Sequence, residues 1–252
     1  MSEADSQETF LSHLIELRER LVRSLVAVAL CCIPTFYFSA ELYDLLAYPL
    51  IQSLPQGSRM IATGVITPFL IPMKIAFMAA FVLVLPYILY QAWAFVAPGL
   101  YSHEKRLVLP LVVSSTVLFL LGMVFCYFIV FGKVFAFISS FAPKSISVAP
   151  DIEAYFNFVL GMFMAFGLAF EVPVVVVVLV ITGLVTVAQL REWRGYVVVA
   201  IFVVAAVVTP PDVVSQIALA LPMCLLYEIG IFVAQAVSRR RKAEPGLSES
   251  RE

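Results

Sequence analysis

The chain has 252 residues, of which 62% are apolar and 13% charged, whereas a soluble domain carries about a quarter charged. With a mean hydropathy of +1.02, 21 Phe and only 2 His, a soluble globular fold is excluded, because no core of this size hides that much apolar surface. The formal net charge of −1 conceals an uneven distribution, so by itself it points to no nucleic acid and no acidic ligand.

The N-terminus, MSEADSQETF, is acidic and polar, the opposite of a secretory leader, so no cleaved segment is expected. A helix is expected over 5–20, capped by Asp5 with Glu8 three positions on, whose apolar stripe is Phe10, Leu14, Leu17 and Leu21. Such a helix is expected to lie along the cytoplasmic interface before turning into the first span. Six runs then satisfy the requirement of about 20 apolar residues for about 30 Å of hydrocarbon, or approach it: 21–40, 69–97, 107–139, 155–184, 196–208 and 213–237. The connections carry breakers of their own: LPQGSR, APGLYSHEKR, FAPKSIS, QLREWR and TPPD. The expected fold is an all-α polytopic membrane protein with six transmembrane helices over 1–238 and a polar tail over 239–252, expected to be disordered.

An even number of spans puts both termini on one side. The connections and ends on that side hold twelve Lys and Arg, while the opposite loops hold only Arg59 and Lys144. The positive-inside rule therefore makes both termini cytoplasmic. The third run, at 33 residues, reaches about 50 Å and must tilt or emerge, whereas the fifth, at 13 residues, reaches only about 20 Å. The sixth is free of charge only between Asp212 and Glu228. Long helices beside a short fifth and sixth imply a bowed bundle. Pro34, Pro72, Pro86, Pro110, Pro173 and Pro222 interrupt the runs, each removing a backbone donor and bending its helix.

Catalytic patterns are missing. No G-x-x-x-x-G-K-[ST], G-x-S-x-G or H-E-x-x-H occurs, and His13 and His103 sit at the membrane border. Cys31, Cys32, Cys126 and Cys224 lie in apolar runs without metal-site spacing. No cofactor and no enzymatic activity is expected.

The polar residues that remain are few. Glu16 stands four residues before Arg20, the favourable order for an intrahelical ion pair. Glu104 follows the Ala97-Pro98-Gly99 break, where a carboxylate suits a helix N-terminus. Two carboxylates at one membrane face also form a seat for a ligand with two cationic groups. Glu171 lies deep in FGLAFEVPVVVVVL, where a carboxylate costs about 2.5 to 3.5 kcal/mol and so needs a partner, a cavity or a proton. The two prolines of TPPD force a turn that leaves Asp212 and Gln216 at the outer face, and Glu228 is expected to snorkel from the sixth run. A secondary transporter using Glu171 as its coupling carboxylate is the alternative, although its short helices would be expected in corresponding halves rather than adjacent and late.

The stretches HLIELRERL at 13–21, SLPQGSRMIATGVITPF at 53–69, LPYILYQAWAFVAPGLYSHEKR at 85–106, MAFGLAFEVPV at 164–174 and TPPDVVSQ at 209–216 carry a resemblance. They resemble, in order over about residues 10–237, the TatC family, the polytopic subunit of the bacterial twin-arginine protein translocase. The resemblance implies a signal-peptide receptor and scaffold in the bacterial cytoplasmic (inner) membrane, binding consecutive arginines at its cytoplasmic face through Glu16 and Glu104. The loop reads HEKR where HERR is usual, which leaves Glu104 in place. Pro49, Pro86, Phe95 and Asp212 are given structural or supporting roles, and Glu171 with Gln216 an intramembrane polar site for partner docking. Implied partners are TatA and TatB, twin-arginine signal peptides of folded precursors and membrane lipid, with no nucleic acid; the proton motive force supplies the energy.

Overall fold

A computed structural model describes residues 3–53, 60–96, 108–141, 149–209 and 213–243. Among them five helical stretches are long and apolar enough to cross a membrane: Leu14–Tyr37, Thr67–Val96, Val108–Phe137, Ile152–Ile181 and Val213–Arg239. Arg194–Val207 is a shorter apolar helix. The expected runs thus recur in order, and the protein is an all-helical, multi-pass membrane protein. Two compact units divide the chain, the first holding 1–48, 62–116 and 151–153, the second 49–61, 117–150 and 154–252.

In the first unit, α1 (Glu3–Tyr37) is one helix of 35 residues. The expected turn between an interfacial helix and the first span is absent, because no Gly or Pro occurs before Pro34 to break a run of helix-forming residues. α2 (Ser39–Ser53) follows, carrying Pro49 in its interior. It was not anticipated, although Leu42, Leu46 and Leu50 recur every four residues. α3 (Thr67–Val96) packs on α1 through Val28, Ala80 and Val84, with Ala27, Cys31, Cys32 and Ile88 around them. Its buried positions Ile71, Ile75, Ala76, Ala80 and Val84 form one stripe. At the α3 start, the Thr67 hydroxyl donates to Glu153 Oε2 at 3.1 Å, and Lys74 reaches the other oxygen at 3.8 Å. Thr63 donates through its backbone N–H and its hydroxyl to Asp151 Oδ1 at 3.2 and 2.9 Å. The first part of α4 (Val108–Phe125) is tied to α3 by the Trp93 indole donating to the buried Ser115 hydroxyl at 3.0 Å.

In the second unit the third span continues through a π-helical segment, Cys126–Val130, into α5 (Phe131–Phe141). α6 (Ile152–Phe170) crosses α4 closely: a Cβ on Gly122 would stand 2.5 Å from the Phe166 carbonyl oxygen, and one on Gly167 2.4 Å from the Phe119 ring. Phe125, Phe131, Phe163 and Phe166 fill the surroundings at ring-centroid distances of 5.3–5.8 Å between Phe131 and Phe163 and between Phe125 and Phe166. The fourth span breaks between α6 and α7 (Val172–Ile181). Pro173 has no N–H to give, and the Glu171 N–H folds back to the Leu168 carbonyl at 3.1 Å, one residue short of the α pattern. α7 lies against α10 (Val213–Ala243), where Val176, Tyr227, Ile231 and Ala234 join Leu190 in a buried cluster. α8 (Val187–Glu192) starts with a capping box between Thr186 and Gln189.

The fifth span is α9 (Arg194–Val208), 15 residues, short as expected. The sixth is short only in its charge-free part, since α10 runs on for 31 residues. Its stripe Leu219, Leu226, Tyr227, Ile231 and Ala234 continues past Glu228.

Candidate functional site

Glu16 sits one turn before Arg20 on α1, and the two side chains meet. Arg20 donates Nη2 to Glu16 Oε1 at 2.6 Å and Nε to the same oxygen at 3.0 Å. The ion pair expected from the spacing is thus present. The contact goes further than the sequence shows, because Arg20 Nη1 donates to Gln91 Oε1 on α3 at 3.0 Å. Gln91 is buried and in turn donates Nε2 to the Tyr87 hydroxyl at 2.7 Å. Ser24 donates to the Arg20 carbonyl at 2.9 Å. The guanidinium is therefore held from behind by a chain of α3 side chains. Glu16 stays 37% exposed and Arg20 23%, and Glu16 Oε2 takes no hydrogen bond among the described residues. Leu14, Ile15, Leu17 and Leu21 of the same helix are exposed, with the stripe of Leu14, Leu17 and Leu21 on a different face from Glu16.

One helix carries both this carboxylate and its counter-ion, and a second fixes the counter-ion through Gln91. Such an arrangement suits the binding of a cationic group. Glu104 and Asp212 lie outside the described residues. Phe95 is half-buried one turn beyond Gln91 on α3, and Pro86 is exposed in the interior of the same helix.

The other expected polar positions fall in the second unit. Glu171 is only 8% exposed and occupies the break between α6 and α7. Gln216 donates Nε2 to the Phe202 carbonyl at 3.2 Å, lacing α10 to α9. Glu228 does not simply snorkel: Arg194 at the start of α9 donates Nη2 to its Oε2 at 2.6 Å. Nearby, Arg191 donates to Gln235 Oε1 at 2.7 Å and the Tyr227 hydroxyl to the Leu190 carbonyl at 2.8 Å. These latches pin α8 and α9 to α10. The basic residues of QLREWR, read as topology signals alone, gave no indication of them. The cysteines are free thiols, and no cluster of metal-ligating side chains occurs among the described residues.

Five helices long and apolar enough to cross a membrane, with carboxylates tied to arginines at Glu16 and Glu228, define a polytopic helical membrane protein. Residues 12–222 match the family described as Sec-independent protein translocase protein (TatC). The Sec-independent protein translocase protein TatC of Escherichia coli (strain K12) is 50% identical over 93% of this chain and 91% of its own length. That of Haemophilus influenzae is 47% identical over 93% and 92%. A solved structure described as the twin-arginine translocase receptor TatC superposes with a TM-score of 0.80 at 39% identity, covering 90% of this chain and 99% of that one. The chain belongs to the TatC family. It is a protein-transport subunit of the twin-arginine system and not an enzyme, and the solute-transporter alternative has no support.

Proposed function

We propose that the chain receives twin-arginine signal peptides at the cytoplasmic face of the bacterial inner membrane, with both termini cytoplasmic, and that Glu16 and Glu104 take the arginine pair. The observation that carries this is the part-exposed Glu16 carboxylate on a helix with exposed apolar residues, one oxygen bonded to Arg20 and the other without a hydrogen bond among the described residues. Guanidinium groups engage carboxylates through parallel hydrogen bonds that an ammonium cannot copy. Exposed ion pairs are worth about 0.2 to 1 kcal/mol each, so two of them fall far below the roughly 8 kcal/mol of micromolar binding. Burial of the apolar part of the signal supplies the rest.

Glu171 and Gln216 serve the assembly with TatA and TatB in this reading. A carboxylate this far inside an apolar run is expensive to keep without a use. The Gln216 amide nitrogen is spent on α9, while its oxygen accepts no hydrogen bond among the described residues and stays available to a partner helix. Folded precursors are the cargo, and the proton motive force drives their passage.

The test is peptide binding to the full-length protein in membranes with Glu16→Ala and Glu104→Ala. Both variants are expected to keep residual affinity but to lose discrimination between Arg-Arg and Lys-Lys signals. Unchanged discrimination in both overturns the assignment.

A further inference from the structure

The seat proposed for the signal is already occupied by an arginine of this chain. Arg20 puts two N–H groups, Nε and Nη2, on one oxygen of Glu16 at 3.0 and 2.6 Å. An arriving guanidinium can reach Oε2, but it cannot straddle both oxygens while Arg20 holds the first. At Oε2 a guanidinium would meet a carboxylate whose charge Arg20 already balances, and it would gain little there over an ammonium. Selectivity for arginine at Glu16 therefore requires Arg20 to let go.

The geometry points to Arg20 as a built-in competitor: the signal binds by exchanging its guanidinium for that of Arg20, and this exchange selects arginine over lysine. The inference rests on the reading of Glu16 as an arginine seat. The structure provides for the displaced group. Arg20 Nη1 stays on Gln91 Oε1 at 3.0 Å, Gln91 is braced by Tyr87 at 2.7 Å, and the Arg20 side chain is 23% exposed, so water can take its remaining donors. The exchange conserves charge, because one guanidinium leaves the carboxylate as another arrives. A signal guanidinium replaces the two-donor grip at parity. An ammonium brings a point charge with strong hydration and replaces it at a loss.

The competitor role and a merely supporting role make opposite predictions. If Arg20 only orients Glu16, weakening it loosens the seat and lowers affinity. If Arg20 competes, weakening it frees the seat. The experiment measures binding of an Arg-Arg peptide with an apolar segment, and of its Lys-Lys counterpart, to full-length protein in nanodiscs. It compares the native chain with Arg20→Lys, Arg20→Gln and Glu16→Gln, each first checked for monodisperse extraction. Arg20→Lys keeps the charge and a donor for Gln91, and so decides the matter if Arg20→Gln does not fold. Arg-Arg affinity is expected to rise by roughly two- to fivefold, the worth of one exposed ion pair, with Arg20→Gln at least as tight as Arg20→Lys. The Lys-Lys peptide gains more than the Arg-Arg peptide in both. Unchanged or weaker Arg-Arg binding in Arg20→Lys, together with weaker binding in Glu16→Gln, overturns the exchange and leaves the seat intact. Unchanged binding in Glu16→Gln overturns the seat itself.

Discussion

α9 offers a perturbation whose size follows from its length. Its apolar part, Arg194–Val207, has 14 residues, about 21 Å at 1.5 Å per residue, against about 30 Å of hydrocarbon. The shortfall of about 9 Å costs a few kcal/mol in total at fractions of a kcal/mol per Å, which lipid absorbs by thinning beside the helix. Inserting four apolar residues between Val199 and Ala200 adds about 6 Å and turns the helix by about 40° beyond a full turn, so the face toward α10 is nearly kept. The Gln216 bond to the Phe202 carbonyl at 3.2 Å lies beyond the insertion and survives. The Arg194–Glu228 pair, half-exposed at 2.6 Å, is pulled apart, a loss of about 0.2 to 1 kcal/mol. Arg194→Gln is the control for that loss alone and is expected to transport normally. In the lengthened variant, signal-peptide binding is expected to persist while transport of a twin-arginine precursor into membrane vesicles falls. A lengthened variant that is stable, correctly inserted and transports at the native rate refutes a role for local thinning.

Gly122→Ala sets a Cβ 2.5 Å from the Phe166 carbonyl oxygen, and overpacking of this kind costs about 1 to 3 kcal/mol; thermal unfolding in detergent is expected to move down by several degrees, and an unchanged Tm means the crossing is looser than described. Glu171→Gln is expected to keep assembly with TatA and TatB, whereas Glu171→Leu weakens their co-purification with little change in folding; equal assembly with Leu returns Glu171 to a purely structural place.

The spans were readable because a bilayer demands long apolar runs, and Pro, Gly and polar residues mark the gaps between them. The Glu16–Arg20 pair was readable because four residues of helix bring the two side chains together. What escaped depends on contacts distant in sequence or on small backbone changes. Gln91 meets Arg20 across 71 positions, and Arg194 meets Glu228 across 34; neither spacing leaves a periodic signal. The π-helical segment at Cys126–Val130 differs from α-helix by a local shift of hydrogen bonds, with no marker in CYFIV. The break at Glu171 was half visible, since Pro173 announces a bend but not its tightening onto the Leu168 carbonyl. α2 has a four-residue leucine spacing, Leu42, Leu46 and Leu50, but at 15 residues it is too short for the apolar run that marks a full span.

The central claim, that Glu16 contacts an arginine of the signal, is tested most directly by a double-mutant cycle. Binding is measured for native and Glu16→Gln protein against peptides carrying Arg-Arg and each single Arg→Gln replacement. Direct contact predicts a coupling of at least about 0.5 kcal/mol between Glu16 and one of the two arginines. Additive losses, within about 0.3 kcal/mol, for both arginines would contradict it.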